Sequence, residues 1–215
     1  MSSMDVEHQG SEPASGGPRN ATDEGRAFRN RGTWIEILVS SVLGMVASLV
    51  LAIDAVVLAA DPNASLSCNI SSKISCAVVG SSWQAEIFGF PNAFLGLLAE
   101  PVITTVAVAS LGGVRFPRWF LVAAQAVSAV GFVFAYWLFF QAYFVIGALC
   151  PWCLLITVTT TLIFFSFTRI NILEGNYGAA VQRRFERPLR AYYLDTAIVV
   201  LLIAILTAMV VYRYL

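Results

Sequence analysis

The chain has 215 residues, 58% hydrophobic and 12% charged, with a mean hydropathy of +0.76 and a formal net charge of zero. A soluble domain this short has too little interior for that much apolar surface, whereas a bilayer absorbs it. Balanced charge excludes a global field that would gather nucleic acid or acidic substrates.

The predicted elements follow in chain order. Residues 1–32 are rich in Ser, Gly, Pro, Asp, Glu and Arg and read as a disordered tail rather than a signal peptide, because no short apolar region with a cleavage site occurs there. The tail carries the one histidine, His8, which argues against histidine-based metal or proton chemistry. Apolar spans are expected over Trp34–Ala60, Ala93–Leu111, Trp119–Tyr143, Cys150–Phe167 and Tyr192–Tyr214, each close to or longer than the ~20 residues a bilayer requires. Since open strands cannot cross lipid, these spans are read as helices of an all-α membrane bundle. The connections are an outer loop over residues 61–91, a short turn over 144–149, and a basic loop over 170–191.

Charge sets the expected orientation. Arg19, Arg26, Arg29 and Arg31 precede the first span, Arg115 and Arg118 separate the second from the third, and Arg169, Arg183, Arg184, Arg187 and Arg190 lie between the fourth and fifth. Eleven of thirteen basic residues thus fall on one side, with Lys73 and Arg213 on the other. The positive-inside rule makes the eleven cytoplasmic. The expectation is a plasma (inner) membrane protein with a cytoplasmic N-terminus and its loops 61–91 and 144–149, and its C-terminus, facing the outer or periplasmic side.

All four cysteines then fall at the outer end. Cys68 and Cys76 lie in the first outer loop, and Cys150-Pro151-Trp152-Cys153 opens the fourth span. Such a distribution suits disulfide chemistry in an oxidising compartment. At a helix start, unpaired amides and the helix dipole favour thiolate over thiol, and proline just inside the helix loses nothing by lacking an amide hydrogen. The structural alternatives are apolar packing for the Cys150 pair, a static staple for Cys68 and Cys76, and a closed four-thiolate zinc site. In the second half of the outer loop, Ser81 to Phe90 mixes bulky apolar with polar residues. It reads as a short interfacial helix capping the bundle, with Trp83 and Phe88 over a pocket or serving as ordinary membrane-interface anchors.

The order of these motifs resembles the vitamin K epoxide reductase family: a loop pair Cys68…Cys76, then Ser81-Ser82-Trp83, then Pro91-Asn92-Ala93 opening a span, then Cys150-Pro151-Trp152-Cys153 opening another. The resemblance covers roughly Trp34 to Phe167. It implies a four-helix bundle around a quinone pocket, with a fifth helix beside it. It implies a relay in which a separate secreted thioredoxin-like (DsbA-like) protein reduces the loop disulfide at Cys68, the freed Cys76 attacks Cys150, and Cys153 reduces a quinone of menaquinone, ubiquinone or phylloquinone type. Asn92 would hydrogen-bond a quinone carbonyl, with N-capping as its plain structural role. Ser82, Trp83, Phe88 and Thr157 complete the residues expected around the quinone. Animal members carry tyrosine where this chain has Thr157, which favours quinone over epoxide reduction. No metal and no nucleotide is implied, and the thioredoxin-like partner is expected to be a separate protein rather than a domain fused after the fifth helix.

Two carboxyls remain inside the spans, Asp54 in the first and Glu100 before Pro101 in the second. A charge at mid-membrane costs roughly 2.5–3.5 kcal/mol or more, so such groups are usually paired, neutral or functional. Glu100 reads either as a proton supply or as a neutral hydrogen-bonded carboxyl, and Asp54 as an organiser of the outer loop through Lys73. The overall expectation is a thiol–quinone oxidoreductase that supports disulfide formation. The alternatives are a quinone-epoxide reductase and a non-enzymatic membrane scaffold with structural disulfides.

Overall fold

The computed structural model describes residues 21–71, 73–191 and 194–214. The first twenty residues, with His8 and Arg19, lie outside them, as do Tyr192 at the expected start of the fifth span and Leu215. The helices are α1 (Ala21–Ala60), α2 (Cys76–Gly80), α3 (Ala93–Leu111), α4 (Arg118–Phe140), α5 (Pro151–Leu173), α6 (Ala179–Ala191) and α7 (Leu194–Tyr214). A 3-10 turn over Trp83–Glu86 precedes α3, and a π-helical segment, Gln141–Ile146, extends α4. Five helices are long and apolar enough to cross a membrane, drawn from α1, α3, α4 with its extension, α5 and α7. The protein is an all-α integral membrane protein.

Two expected boundaries change. The helix of the first span starts at Ala21, so it takes in residues 21–32 that composition assigned to the tail. The basic loop expected over 170–191 is largely helical, because α5 runs on to Leu173 and α6 follows after a short turn. In α6 the apolar Val181, Phe185 and Leu189 recur every four residues among arginines, the pattern of an amphipathic helix.

The helices pack as a series. α1 lies between α3 and α5, and α5 lies between α1 and α4, whereas α3 and α4 share no comparable interface among the described residues. At the arginine-rich end, Trp34 and Ile37 of α1, Val106 and Ala107 of α3, Leu121 of α4 and Ile163, Phe167 and Ile170 of α5 form the main core. Lipid is as apolar as these side chains, so interhelical specificity comes from close packing and polar contacts. Gly44 and Gly96 supply the first. A Cβ on Gly44 would stand 2.6 Å from Glu100 Oε1, and one on Gly96 would run into Ser48 Oγ. Polar contacts tie the rest, with Ser41 Oγ 2.8 Å from Thr104 Oγ1, and Gln125 Nε2 donating to Thr168 Oγ1 at 2.8 Å. α7 docks through Leu206, Met209 and Val210 beside Phe139, Tyr143 and Leu149. At its other end Asp195 pairs with Arg169 of α5 at 2.9 Å.

Candidate active site

Three apolar residues, Leu51, Leu58 and Leu66, gather with Cys68, Cys76, Cys150 and Cys153 at one end of the bundle. What brings the two cysteine pairs together is backbone. Ile74 pairs with Leu149 in an isolated parallel β-bridge. The Ser75 amide donates to the Leu149 carbonyl at 3.0 Å, and the Leu149 amide to the Lys73 carbonyl at 2.9 Å. Cys76 follows Ile74 by two residues and Cys150 follows Leu149 by one, so the bridge delivers both sulfurs to one place.

Local capping holds each sulfur in turn. Ser75 Oγ caps α2 by accepting a hydrogen bond from the Val78 amide, and Asn69 Oδ1 accepts from Ser75 Oγ at 2.9 Å and from the Ala77 amide at 3.2 Å. Cys150 occupies the N-cap position of α5, with Pro151 at the first helical position. There the fixed φ of proline suits the helix and its missing amide hydrogen costs nothing.

Cys68 and Cys76 form a disulfide, and Cys150 and Cys153 are thiols. Cys76 Sγ lies 3.1 Å from Cys150 Sγ, within the ~3–3.5 Å of a near-attack arrangement. Cys150 is 1% exposed. A hydrogen bond from the Cys153 side chain holds its thiol below the ordinary cysteine range, and the Cys153 and Trp152 amides add to this, against the opposing effect of burial. The arrangement sets a buried thiol against a disulfide, with the two sulfurs close enough for thiol–disulfide exchange.

The remaining expected residues divide. Asn92 immediately precedes α3, yet its side chain does not cap that helix. Its Nδ2 donates to the Gln84 carbonyl at 2.7 Å, its backbone amide donates to the Ala85 carbonyl, and its buried Oδ1 has no protein partner. The 3-10 turn needs this tether because it lies back over the start of α3. Trp83 meets Trp137 edge-on at 6.4 Å, and Phe88 meets Phe134 at 5.9 Å. Their partners Trp137 and Phe134 also line an apolar groove of about 500 Å³ along α4, together with Ala129, Val130 and Val133. The groove is open at the flank of α4 rather than enclosed within four helices.

Ser82 Oγ donates to the Val79 carbonyl at 2.6 Å, closing the end of α2, and Thr157 Oγ1 donates to the Cys153 carbonyl at 2.9 Å, one turn below it. Both hydroxyls thus serve local backbone. Asp54 lies beside Cys68 rather than bonding Lys73, with Oδ2 3.6 Å from the sulfur. Leu51 and Leu58 pack on the cysteine cluster from the same helical face, which turns Asp54 toward it. Glu100 is buried between α1, α3 and α5, beside Gly44 and Thr159, with Oε2 lacking a partner. Sequence reasoning found the cysteines but not the Ile74–Leu149 bridge or the Asp54–Cys68 contact, for neither has a local signature.

No curated protein matches the chain. The family model described as the Vitamin K epoxide reductase family matches residues 35–168, which takes in α1 from its membrane part through most of α5 and all four cysteines. With its membrane helices, its loop disulfide and its Cys-Pro-Trp-Cys helix start, the chain belongs to the vitamin K epoxide reductase family.

Proposed function

We propose that the protein is a membrane thiol–quinone oxidoreductase that oxidises a secreted thioredoxin-like protein and passes the electrons to a quinone. The observation that carries this reading is the 3.1 Å approach of Cys76 Sγ to Cys150 Sγ, which joins the loop pair to the pair at the mouth of α5.

Two electrons travel through the sulfurs. A dithiol partner attacks Cys68, the mixed disulfide resolves, and the partner leaves oxidised while Cys68 and Cys76 become thiols. Cys76 then attacks Cys150 of an oxidised Cys150–Cys153 pair, and Cys153 departs as a thiol. Cys68 next attacks Cys76, which restores the loop disulfide and leaves Cys150 reduced. A disulfide at Cys68–Cys76 beside two thiols at Cys150 and Cys153 matches the stage just after this transfer. The low-lying thiol of Cys150 makes it a good leaving group in that step.

A quinone supplies the two-electron acceptor, and the residues around α4 suit one. The groove along α4 is apolar and open at its flank, a fitting approach for a lipid-dissolved molecule, and Trp83 and Phe88 pack against two of its lining residues, Trp137 and Phe134. Asn92 Oδ1 is a buried acceptor without a partner, and Nδ2 keeps a second hydrogen, so the amide can accept from a hydroxyl or donate to a carbonyl. Thr157 has its hydroxyl hydrogen engaged by a helix carbonyl, which favours quinone reduction over acid-assisted opening of an epoxide. The arginine distribution supports a topology with the cysteine end on the outer side of the membrane.

The direct test is anaerobic quinone reduction by the purified protein with a dithiol donor, with Cys153→Ala alongside. Turnover that vanishes in the variant supports the reading. Inactivity of the wild type with every benzo- and naphthoquinone, in bilayer, would leave the disulfide as a structural staple.

A further inference from the structure

Asp54 is a half-buried carboxylate on α1, set between Leu51 and Leu58, both of which pack on the cysteine cluster. Its Oδ2 lies 3.6 Å from Cys68 Sγ, and a carboxylate oxygen and the Cys68 and Cys76 sulfurs all fall within 4.8 Å of one another. Two of those three atoms are joined in a disulfide, so they present no thiolates to a metal ion. The grouping instead places a proton acceptor at Cys68, while Cys76 is the sulfur that meets Cys150.

The position matters because of what Cys68 must do. To close the loop disulfide it has to lose its proton, since the thiolate is the attacking species. A free thiolate beside an ionised carboxylate is disfavoured by like charge. Loss of the proton to that same carboxylate as the sulfur attacks removes the conflict, and the 3.6 Å separation becomes a thiol-to-carboxylate hydrogen bond once the disulfide is reduced.

We propose that Asp54 is the general base for Cys68 in the step that closes the Cys68–Cys76 disulfide, an inference that rests on the sulfur relay proposed above. In that step Cys68 Sγ attacks Cys76 Sγ of the Cys76–Cys150 mixed disulfide. The Cys68–Cys76 bond forms, the Cys76–Cys150 bond breaks, and the electron pair leaves with Cys150. The thiol proton passes to Asp54. Cys68 is oxidised, Cys150 is reduced, and the charge moves from the carboxylate to the Cys150 thiolate. Cys150 is equipped to receive it through the Cys153 side chain and the Trp152 and Cys153 amides. When a partner later reduces the loop disulfide, the Asp54 carboxyl returns the proton to Cys68.

The test uses the full chain in lipid nanodiscs, reduced to four thiols, freed of reductant and mixed anaerobically with excess short-chain ubiquinone. Samples are quenched over time with an alkylating reagent, and each cysteine pair is scored by mass. The wild type should oxidise Cys150 and Cys153 first, then Cys68 and Cys76, with one hydroquinone per phase. In Asp54→Asn the second phase should slow roughly a hundredfold, the low end of what a positioned base contributes. It should instead lead to accumulated Cys76–Cys150 disulfide, while the first phase remains. Asp54→Glu should recover the second phase. An Asp54→Asn variant with both phases at the wild-type rate, or with both slowed alike, would overturn the assignment. A wild type in which the inner pair never oxidises would instead overturn the relay and this inference with it.

Discussion

Ile74 and Leu149 form a parallel bridge between a loop and the lead-in to a helix, and that bridge sets Cys76 opposite Cys150. Neither residue carries chemistry. Their backbone pairing fixes the register of the two segments, as a ladder fixes register in a sheet. Leu149→Pro removes the amide that donates to Lys73. The sulfurs should separate, and a shift of the order of 1 Å costs about a hundredfold in rate. Leu149→Val keeps the amide and should retain most of the rate. Stopped-flow oxidation of the loop pair, followed by alkylation and mass, measures both.

Cys68→Ala should abolish oxidation of a protein dithiol while leaving small dithiols able to reduce the Cys150 pair directly. Without the resolving thiol, Cys76 and Cys150 should remain joined. Non-reducing peptide mapping of the variant isolated with quinone present would reveal that disulfide. Normal oxidation of a thioredoxin-like protein by this variant would contradict entry at Cys68.

Cys150 should retain thiolate reactivity below the pH range of an ordinary cysteine, whose pKa is about 8.5. The main cause is the hydrogen bond from Cys153. In a Cys76→Ala background, which exposes the sulfur, the alkylation rate of Cys150 should reach half its maximum at a pH below that of a free thiol. Adding Cys153→Ala should move that midpoint upward, because the depressed group loses its largest stabilising contact. An unmoved midpoint would assign the effect to the helix amides.

Gly44 and Gly96 are where α1 meets α3 and its side chains. Gly44→Ala should cost about 1–3 kcal/mol, the usual penalty for overpacking, since its Cβ would meet Glu100 Oε1 at 2.6 Å. Glu100→Ala should offset part of that loss, because it removes the colliding carboxylate. Thermal melting of both single variants and the double variant gives the coupling, and strict additivity would mean that the two residues do not touch.

Much of this arrangement was legible in the sequence, and the gaps have definite causes. The spans follow from runs of apolar residues long enough for a bilayer, and the cysteine grouping follows from their position relative to those spans. α6 was read as a loop because its arginines mask a period of Val181, Phe185 and Leu189 that emerges only on a helix. Asp54 was assigned to Lys73 by charge alone. Its actual neighbour is set by Leu51 and Leu58, which fix the face of α1 that turns toward the cysteines. The quinone pocket was expected within the four helices, whereas the apolar groove runs along the flank of α4, a feature of helix packing that no local motif encodes.

Asn92 carries two tasks that substitution should separate. Nδ2 fastens the 3-10 turn through the Gln84 carbonyl, whereas Oδ1 is buried and free. Asn92→Asp keeps an acceptor oxygen at that place but loses the donor, so the turn should loosen and Trp83 should lose its position over Trp137. Asn92→Ala loses both and should weaken the transition state for quinone reduction by about 1–3 kcal/mol, the range for leaving one hydrogen-bonding partner unmatched. If Oδ1 or Nδ2 engages the quinone, Asn92→Ala should slow the first, inner-pair phase of hydroquinone formation while the transfer from Cys68 and Cys76 to Cys150 keeps its rate. Tryptophan fluorescence reports the turn independently. A variant that loses the Trp83 signal yet reduces quinone at the wild-type rate would limit Asn92 to holding the loop.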